Sequence, residues 1–188
     1  MTLRVACLTV ALTLTLGACG PISRTPPSCN NTLANASGKG VDQSAFTYPD
    51  GCADIEDLHQ RGFRINFDGG PLSSLGVSGA NVTDLDLNTV GEYPCGMHSG
   101  LRAVGSPSDP ENPAYSNGGY DTLNQNTAVE GDCLHGSCTV SVTSPASSGT
   151  LKLHFTGNLG RSKANAAFHC DYMSVSFDLT MNKTETLN

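Results

Sequence analysis

Tryptophan is absent from the 188 residues, and only 14% of them are charged, against about 25% in ordinary soluble domains. Basic residues are scarce too, 10 Lys plus Arg against 17 Asp plus Glu for a net charge of −7, and they form no cluster. Nucleic acid is therefore excluded as a partner, because neutralising phosphates needs concentrated positive charge. The missing Trp weakens a sugar-binding reading that relies on aromatic platforms. No apolar run reaches the roughly 20 residues of a spanning helix, and no long helical or heptad period occurs. No GxSxG, HExxH, SxxK or phosphate-cradling glycine loop stands in the chain. Ser, His and Asp are plentiful, so a triad assembled in space keeps a small secreted hydrolase as an alternative. Polarity comes instead from Ser, Thr and Asn, and 38% apolar residues with 21 glycines suffice for one globular domain.

The N-terminus reads as an export signal. Arg4 precedes an apolar run from Val5 to Leu16 broken only by Thr, too short for a permanent span. The run ends in Leu16-Gly17-Ala18-Cys19, which resembles the lipobox of bacterial lipoproteins. The resemblance covers the first tenth of the chain. It implies removal of residues 1–18, diacylglyceryl modification of Cys19, and attachment to a membrane through that lipid. Gly20, where an Asp would look like an inner-membrane retention signal, points to the outer membrane. The competing leader, cut by the general signal peptidase, would leave Leu16 at a position that prefers a small residue. Removing Arg4 takes the mature charge from −7 to −8. Asn-x-Ser/Thr sites at Asn30, Asn35, Asn81 and Asn182 would suit a secreted eukaryotic glycoprotein, but chance delivers about that many in a chain this rich in Asn, Ser and Thr.

Eight cysteines are present. Cys7 leaves with the leader and Cys19 takes lipid. Cys29, Cys52, Cys95, Cys133, Cys138 and Cys170 remain, and an even set in an exported chain reads as three disulfides with 15 connectivities open. Cys133 to Cys138 is the best local pair, since a short gap can close a turn. The run Cys133-Leu134-His135-Gly136-Ser137-Cys138 also carries metal ligands, but no second knuckle accompanies it.

Residues 19–28 are a Gly, Pro, Ser and Thr tether able to reach about 30 Å, and residues 29–188 form a single domain. Asp50 is placed to cap a short helix through Arg61, with Asp54, Glu56 and Asp57 early, His59 and Arg61 late, and Gly62 as its stop. Cys52, Ile55 and His59 would share one face. Everything else reads as β: Phe63 to Phe67 alternates, a second strand is expected within Ala80 to Val90, and Thr139 to Thr143 alternates before a turn at Ser144 to Gly149. A hairpin over 150–172, turning between Arg161 and Ser162, would set Phe155 opposite Phe168, Lys152 opposite Asp171 and His154 opposite His169. A bulge or a change of sheet is then expected after Tyr172. The fold class is mainly β, an antiparallel sandwich or barrel-like domain with one short helix, stapled by disulfides.

The candidate sites follow. His154 and His169 as neighbours could share Zn or Cu, with His135, His98, Met97 and Asp171 as further donors. Asp84-Leu85-Asp86-Leu87-Asn88 resembles the opening of a calcium loop, with Thr89 in place of the glycine and Cys95 in place of the closing Glu. The turn-rich stretch from Pro107 to Thr127, around Tyr115 and Tyr120, is a long loop and the place to expect a partner. These readings favour a lipid-anchored envelope protein with a non-catalytic binding or structural role. No resident cofactor is expected apart from the Cys19 lipid. The alternatives are a metal-binding lipoprotein and a hydrolase.

Overall fold

A computed structural model describes residues 29–40, 42–95, 99–108, 120–122, 136–161, 172–182 and 187. Twelve strands occur among them. β1 (Asn31–Lys39), β2 (Ala45–Thr47) and β3 (Gly51–Cys52) open the chain, followed by β4 (Asp54–His59), β5 (Gly62–Asn66) and β6 (Leu72–Gly79). Then come β7 (Gly91–Cys95), β8 (Leu101–Pro107), β9 (Tyr120–Asp121), β10 (Ser137–Ser144), β11 (Thr150–Arg161) and β12 (Tyr172–Asn182). All pairings are antiparallel, in the order β2-β1-β12-β11-β9-β8-β6-β5-β4, with β10 and β7 branching from β11.

The branch is possible because β11 is long. Residues 152–158 pair with β10, whereas Gly160 and Arg161 pair with β9, which also pairs with β8. The molecule thus has two sheets joined by β9 on one side. On the other side they are joined by Ala53, where the chain leaves β3 beside β1 and enters β4 beside β5. Strands that change sheet at a corner are typical of sandwiches that approach barrels. The sheets face each other: the rings of Phe63 and Phe67 lie 6.5 and 6.0 Å from that of Phe177, although four strands separate β5 from β12 in the ladder. Phe155 stacks on Phe177 at 5.1 Å within its own sheet.

β12 explains this layer most simply. Met173, Val175, Phe177, Leu179 and Met181 are all buried, and the residues between them are not. Opposite them β11 offers Leu159, Gly157, Phe155, Leu153 and Leu151. Period-two alternation is what a strand with one buried face requires.

Several expectations are corrected. The stretch 50–61 is not a helix but β3, β4 and the turn into β5. A ten-residue helix is marginal in water, whereas here Ile55 meets Ile65 and Glu56 stands opposite Arg64 across the β4–β5 ladder. The acid-then-base order that suited a helix dipole serves a strand pair equally well. Among the described residues the helical element is a 3-10 turn, Ala146–Ser148, within the turn expected there, closed by Gly149 at φ 88°. Residues 80–90 form turns rather than a strand, and β6 precedes them. Leu85 and Leu87 are fully buried. Asp84 accepts from the Asn81 N–H, and Asp86 from the Asn88 N–H. Such local side-chain bonds compete with a ladder.

The hairpin of β11 and β12 is real, but its register differs. Phe155 pairs with Phe177, Lys152 with Thr180 and His154 with Asp178, so the partners expected nearer the turn are wrong. β12 runs as an unbroken ladder against β11 from Tyr172, without the bulge expected after it; in the strands around it, irregularities fall in β1 between Ala34 and Ser37 and in β10 between Val142 and Ser144, and others lie in β4 and β6.

Two disulfides staple the frame. Cys29 joins Cys52 with Cα atoms 5.3 Å apart, and Cys95 joins Cys138 with Cα atoms 4.9 Å apart, directly opposite across β7 and β10. Cys138 is therefore not the partner of Cys133. The third expected bridge involves Cys133 and Cys170, which lie outside the described residues.

Candidate functional site

The alternation that buries one face of β10, β11, β12 and β1 turns their polar residues to the other. In one row across the strands stand Thr139, Thr156, Ser176, Ser37 and Thr47. In the row beside it stand Ser137, Asn158, Ser174, Lys39 and Ala45. Between these rows runs a cleft of about 550 Å³. Its described lining comes wholly from β2, β1, β12, β11 and β10, with nothing from the facing sheet. Of its middle positions, Cys138 and Val175 are 5% and 2% exposed, and Gly157 is buried as well. The cleft therefore lies on the outer face, over backbone, with the two polar rows as its walls. At Gly38 in its floor a Cβ would collide with the Ser174 carbonyl and the Phe46 ring, so glycine there lets β1 lie close to both neighbours.

A third row flanks the cleft: Ser141, His154 and Asp178 on adjacent strands. His154 Nδ1 is 2.7 Å from Asp178 Oδ1, and the Asn35 amide donates to Asp178 Oδ2 at 2.6 Å. Asn35 sits in the β1 bulge at φ 55°, and its own N–H donates to Asp50 Oδ1 at 2.8 Å. The Asn35 amide, and then the His154 ring, hold the Asp178 carboxyl below its usual range against a partial desolvation. Both side chains of the pair remain more than two-fifths exposed. The order Ser, His, Asp has the composition of a triad, yet among the described residues no hydrogen bond joins Ser141 to His154, and a nucleophile needs that bond for activation.

The calcium-like stretch is occupied by its own neighbours. Burial by itself would raise the Asp86 carboxyl, but bonds from the Thr89 hydroxyl, the Asn88 N–H and the Gln60 amide bring it below its ordinary value. Asp84 accepts from the N–H groups of Asn81 and Gly100. These oxygens cap turns.

Among the described residues no three His, Cys, Asp or Glu side chains gather as a metal site would require. His154 has Asp178 as its cross-strand neighbour, so the adjacency to His169 on which the metal reading relied is not formed in the described ladder. His169, His135, His98, Met97, Asp171, Tyr115 and the lipidation candidate Cys19 lie outside the described residues. Tyr120 opens β9, and its backbone pairs with Arg161 and Gly105. The long loop expected from Pro107 to Thr127 is thus interrupted by a strand that ties the two sheets together. Sequence reasoning missed the outer-face rows, although the signal was there: the polar members of each alternating strand are nearly all Ser, Thr or Asn.

Among the described residues no helix is long and apolar enough to cross a membrane. No protein-family model, curated protein or solved structure matches the chain.

Proposed function

We propose that the protein is a lipid-anchored envelope protein of a bacterium, held through Cys19 in the outer membrane, whose β domain binds a partner on its outer sheet face. The observation that carries the anchoring is Leu16-Gly17-Ala18-Cys19 placed directly after the apolar run. Two disulfides that begin at Cys29, ten residues beyond Cys19, support an oxidising compartment. Two or three acyl chains, at about 0.8 kcal/mol per buried CH2, give firm attachment. The binding role is favoured over hydrolysis because the Ser141 hydroxyl has no bond to His154 among the described residues, whereas the adjacent cleft is open and lined by Ser, Thr and Asn side chains together with Lys39 and apolar groups such as Phe46.

Cys19→Ser tests the anchor. The wild-type chain is expected in the membrane fraction and to partition into detergent, with a mass showing cleavage before Cys19 and added acyl chains. The variant is expected to be unprocessed or soluble. Unchanged fractionation and an unchanged mature N-terminus in the variant would rule the lipid anchor out.

A further inference from the structure

We infer, resting on the binding reading above, that the partner is a protein whose extended basic segment adds to the free edge of β2 as one more strand. Among the described residues β2, β3, β4 and β7 are each paired on one side only. β3 is two residues long and bridged through Cys52 to Cys29. β4 carries Asp54, Glu56 and Asp57 and an irregularity between Glu56 and His59, and β7 carries Glu92 and Pro94. Charges, proline and bulges keep a sheet edge from accepting another chain. The three residues of β2, Ala45-Phe46-Thr47, include none of these. Their number limits the guest to a short segment.

The backbone of β2 is set for such a guest. The Tyr48 N–H donates to the Ala36 carbonyl and the Gly40 N–H to the Ser44 carbonyl, in the register that sets Phe46 opposite Gly38. Antiparallel pairs alternate between exchanging both hydrogen bonds and exchanging none. Phe46 therefore turns its backbone groups to β1, while Ala45 and Thr47 turn theirs away. Two N–H and two C=O groups stand at the rim of the cleft with no partner among the described residues. An antiparallel guest satisfies all four with two residues. Its middle residue then falls opposite Phe46 in a non-hydrogen-bonded pair, where side chains come closest. Phe46 packs partly buried against the core, its ring edge-on to Tyr48 at 5.5 Å, so that middle residue is apolar. The residues flanking it continue the two polar rows, which end at Thr47 and Ala45.

Charge complementarity fixes the sign of the guest. Beyond Thr47 the edge runs into a pocket of about 300 Å³ that holds Asp50, Asp54 and Asp68 and has no Lys, Arg or His in its described lining. Asp50 and Asp54 each accept one hydrogen bond, from the Asn35 N–H and the Asn66 amide, and among the described residues no cation pairs with any of the three. On an antiparallel guest this pocket faces the position three or four residues before the apolar one. A Lys or Arg there meets the carboxylates, and the net charge of −7 steers a basic segment toward the protein.

Titration of the purified mature chain with the capped peptide Lys-Lys-Ser-Thr-Val-Thr-Ser tests this. One comparator replaces both Lys by Glu, and a second keeps them but carries N-methyl groups on both Thr amides. The Lys peptide is expected to bind at least tenfold more tightly than either, and more weakly as salt is raised. Hydrogen exchange of the Ala45 and Thr47 amides should slow at least tenfold in its presence. Thr47→Pro removes an outward N–H while sparing the β1 ladder and should lose the peptide; the N-methylated comparator asks the same question of the wild-type chain should that variant misfold. Asp68→Asn should narrow the gap between the Lys and Glu peptides. No binding of the Lys peptide at millimolar concentration, equal binding of either comparator, or unchanged exchange at Ala45 and Thr47 would each overturn the inference. Protection of those amides without peptide, in step with dimer formation in sedimentation, would give the edge to a second copy and overturn it as well. Peptide-induced NMR shifts confined to Thr156, Asn158 and Ser176 would remove the added strand and keep binding on the outer face. The Cys19→Ser fractionation is independent of all these results and judges the anchor alone.

Discussion

Tyr48→Phe removes one oxygen atom from the corner where the edge of one sheet meets the end of the other. The Tyr48 hydroxyl accepts from the Leu72 N–H at 3.0 Å and lies 3.1 Å from the Leu72 carbonyl, to which it donates. Tyr48 is 4% exposed and Leu72 fully buried. The ring itself stacks on Phe67 at 4.4 Å and meets Phe46 edge-on at 5.5 Å, contacts that phenylalanine retains. The substitution therefore isolates the hydroxyl. It leaves a buried N–H and a buried C=O without their partner, at about 1–3 kcal/mol for each unsatisfied group, so a total near 3 kcal/mol is expected. For a domain of this size that corresponds to about 6–12 °C in Tm. The pH dependence supplies a second signature. Burial pushes the Tyr48 hydroxyl up from 10.0 to about 12, with the Leu72 bond acting in the opposite direction. The folded chain holds this proton more tightly than the unfolded chain does, so the contribution is intact below pH 10 and lost as the pH rises toward about 12. Thermal and urea unfolding of wild type and Tyr48→Phe, with disulfides intact, should show a wild-type advantage that shrinks over that interval. A variant within about 0.5 kcal/mol of wild type, the range of an ordinary surface substitution, would refute the reasoning.

Three other outcomes are expected. Non-reducing peptide mapping should recover Cys29 linked to Cys52 and Cys95 linked to Cys138, with no Cys133–Cys138 peptide. Removing either bridge, which closes separations of 23 and 43 residues, should cost about 3–4 kcal/mol by the loop-closure relation; recovery of Cys133–Cys138 would contradict the β7–β10 ladder. The Asp178 carboxyl, lowered by Asn35 and then His154 from 3.8, contributes stability present above that value and lost as the pH falls through the lower folded one. Asp178→Asn should accordingly unfold less steeply in acid than wild type, and identical acid profiles would show that the carboxylate adds nothing.

Much of the frame is legible residue by residue. Phe63 and Ile65, Val140 and Val142, and Leu151, Leu153 and Phe155 alternate with polar neighbours, and all are buried on strands, because a half-buried strand imposes period two on its own sequence. The turn at Ala146–Ser148 with Gly149 is legible for the same local reason: a left-handed φ of 88° suits glycine. An even number of exported cysteines announces bridging, again without reference to fold.

Which elements meet is not a local property. A period-two pattern matches any partner of the same parity, so the stretch near Phe168 and the stretch from Met173 to Met181 compete for β11. The second wins in the described ladder, where five consecutive inward positions of β12 are apolar and buried against it. Asp50 to Arg61 satisfies a helix and a strand alike, and the neighbours β1 and β5, with the Cys29–Cys52 bridge, decide for the strand. Cys138 closes on Cys95 rather than Cys133 because the ladder sets their Cα atoms 4.9 Å apart, a proximity across 43 residues that no spacing rule encodes. The outer face follows the same logic: its Ser, Thr and Asn residues are written in the chain, but only the register of five strands aligns them into rows with a cleft between.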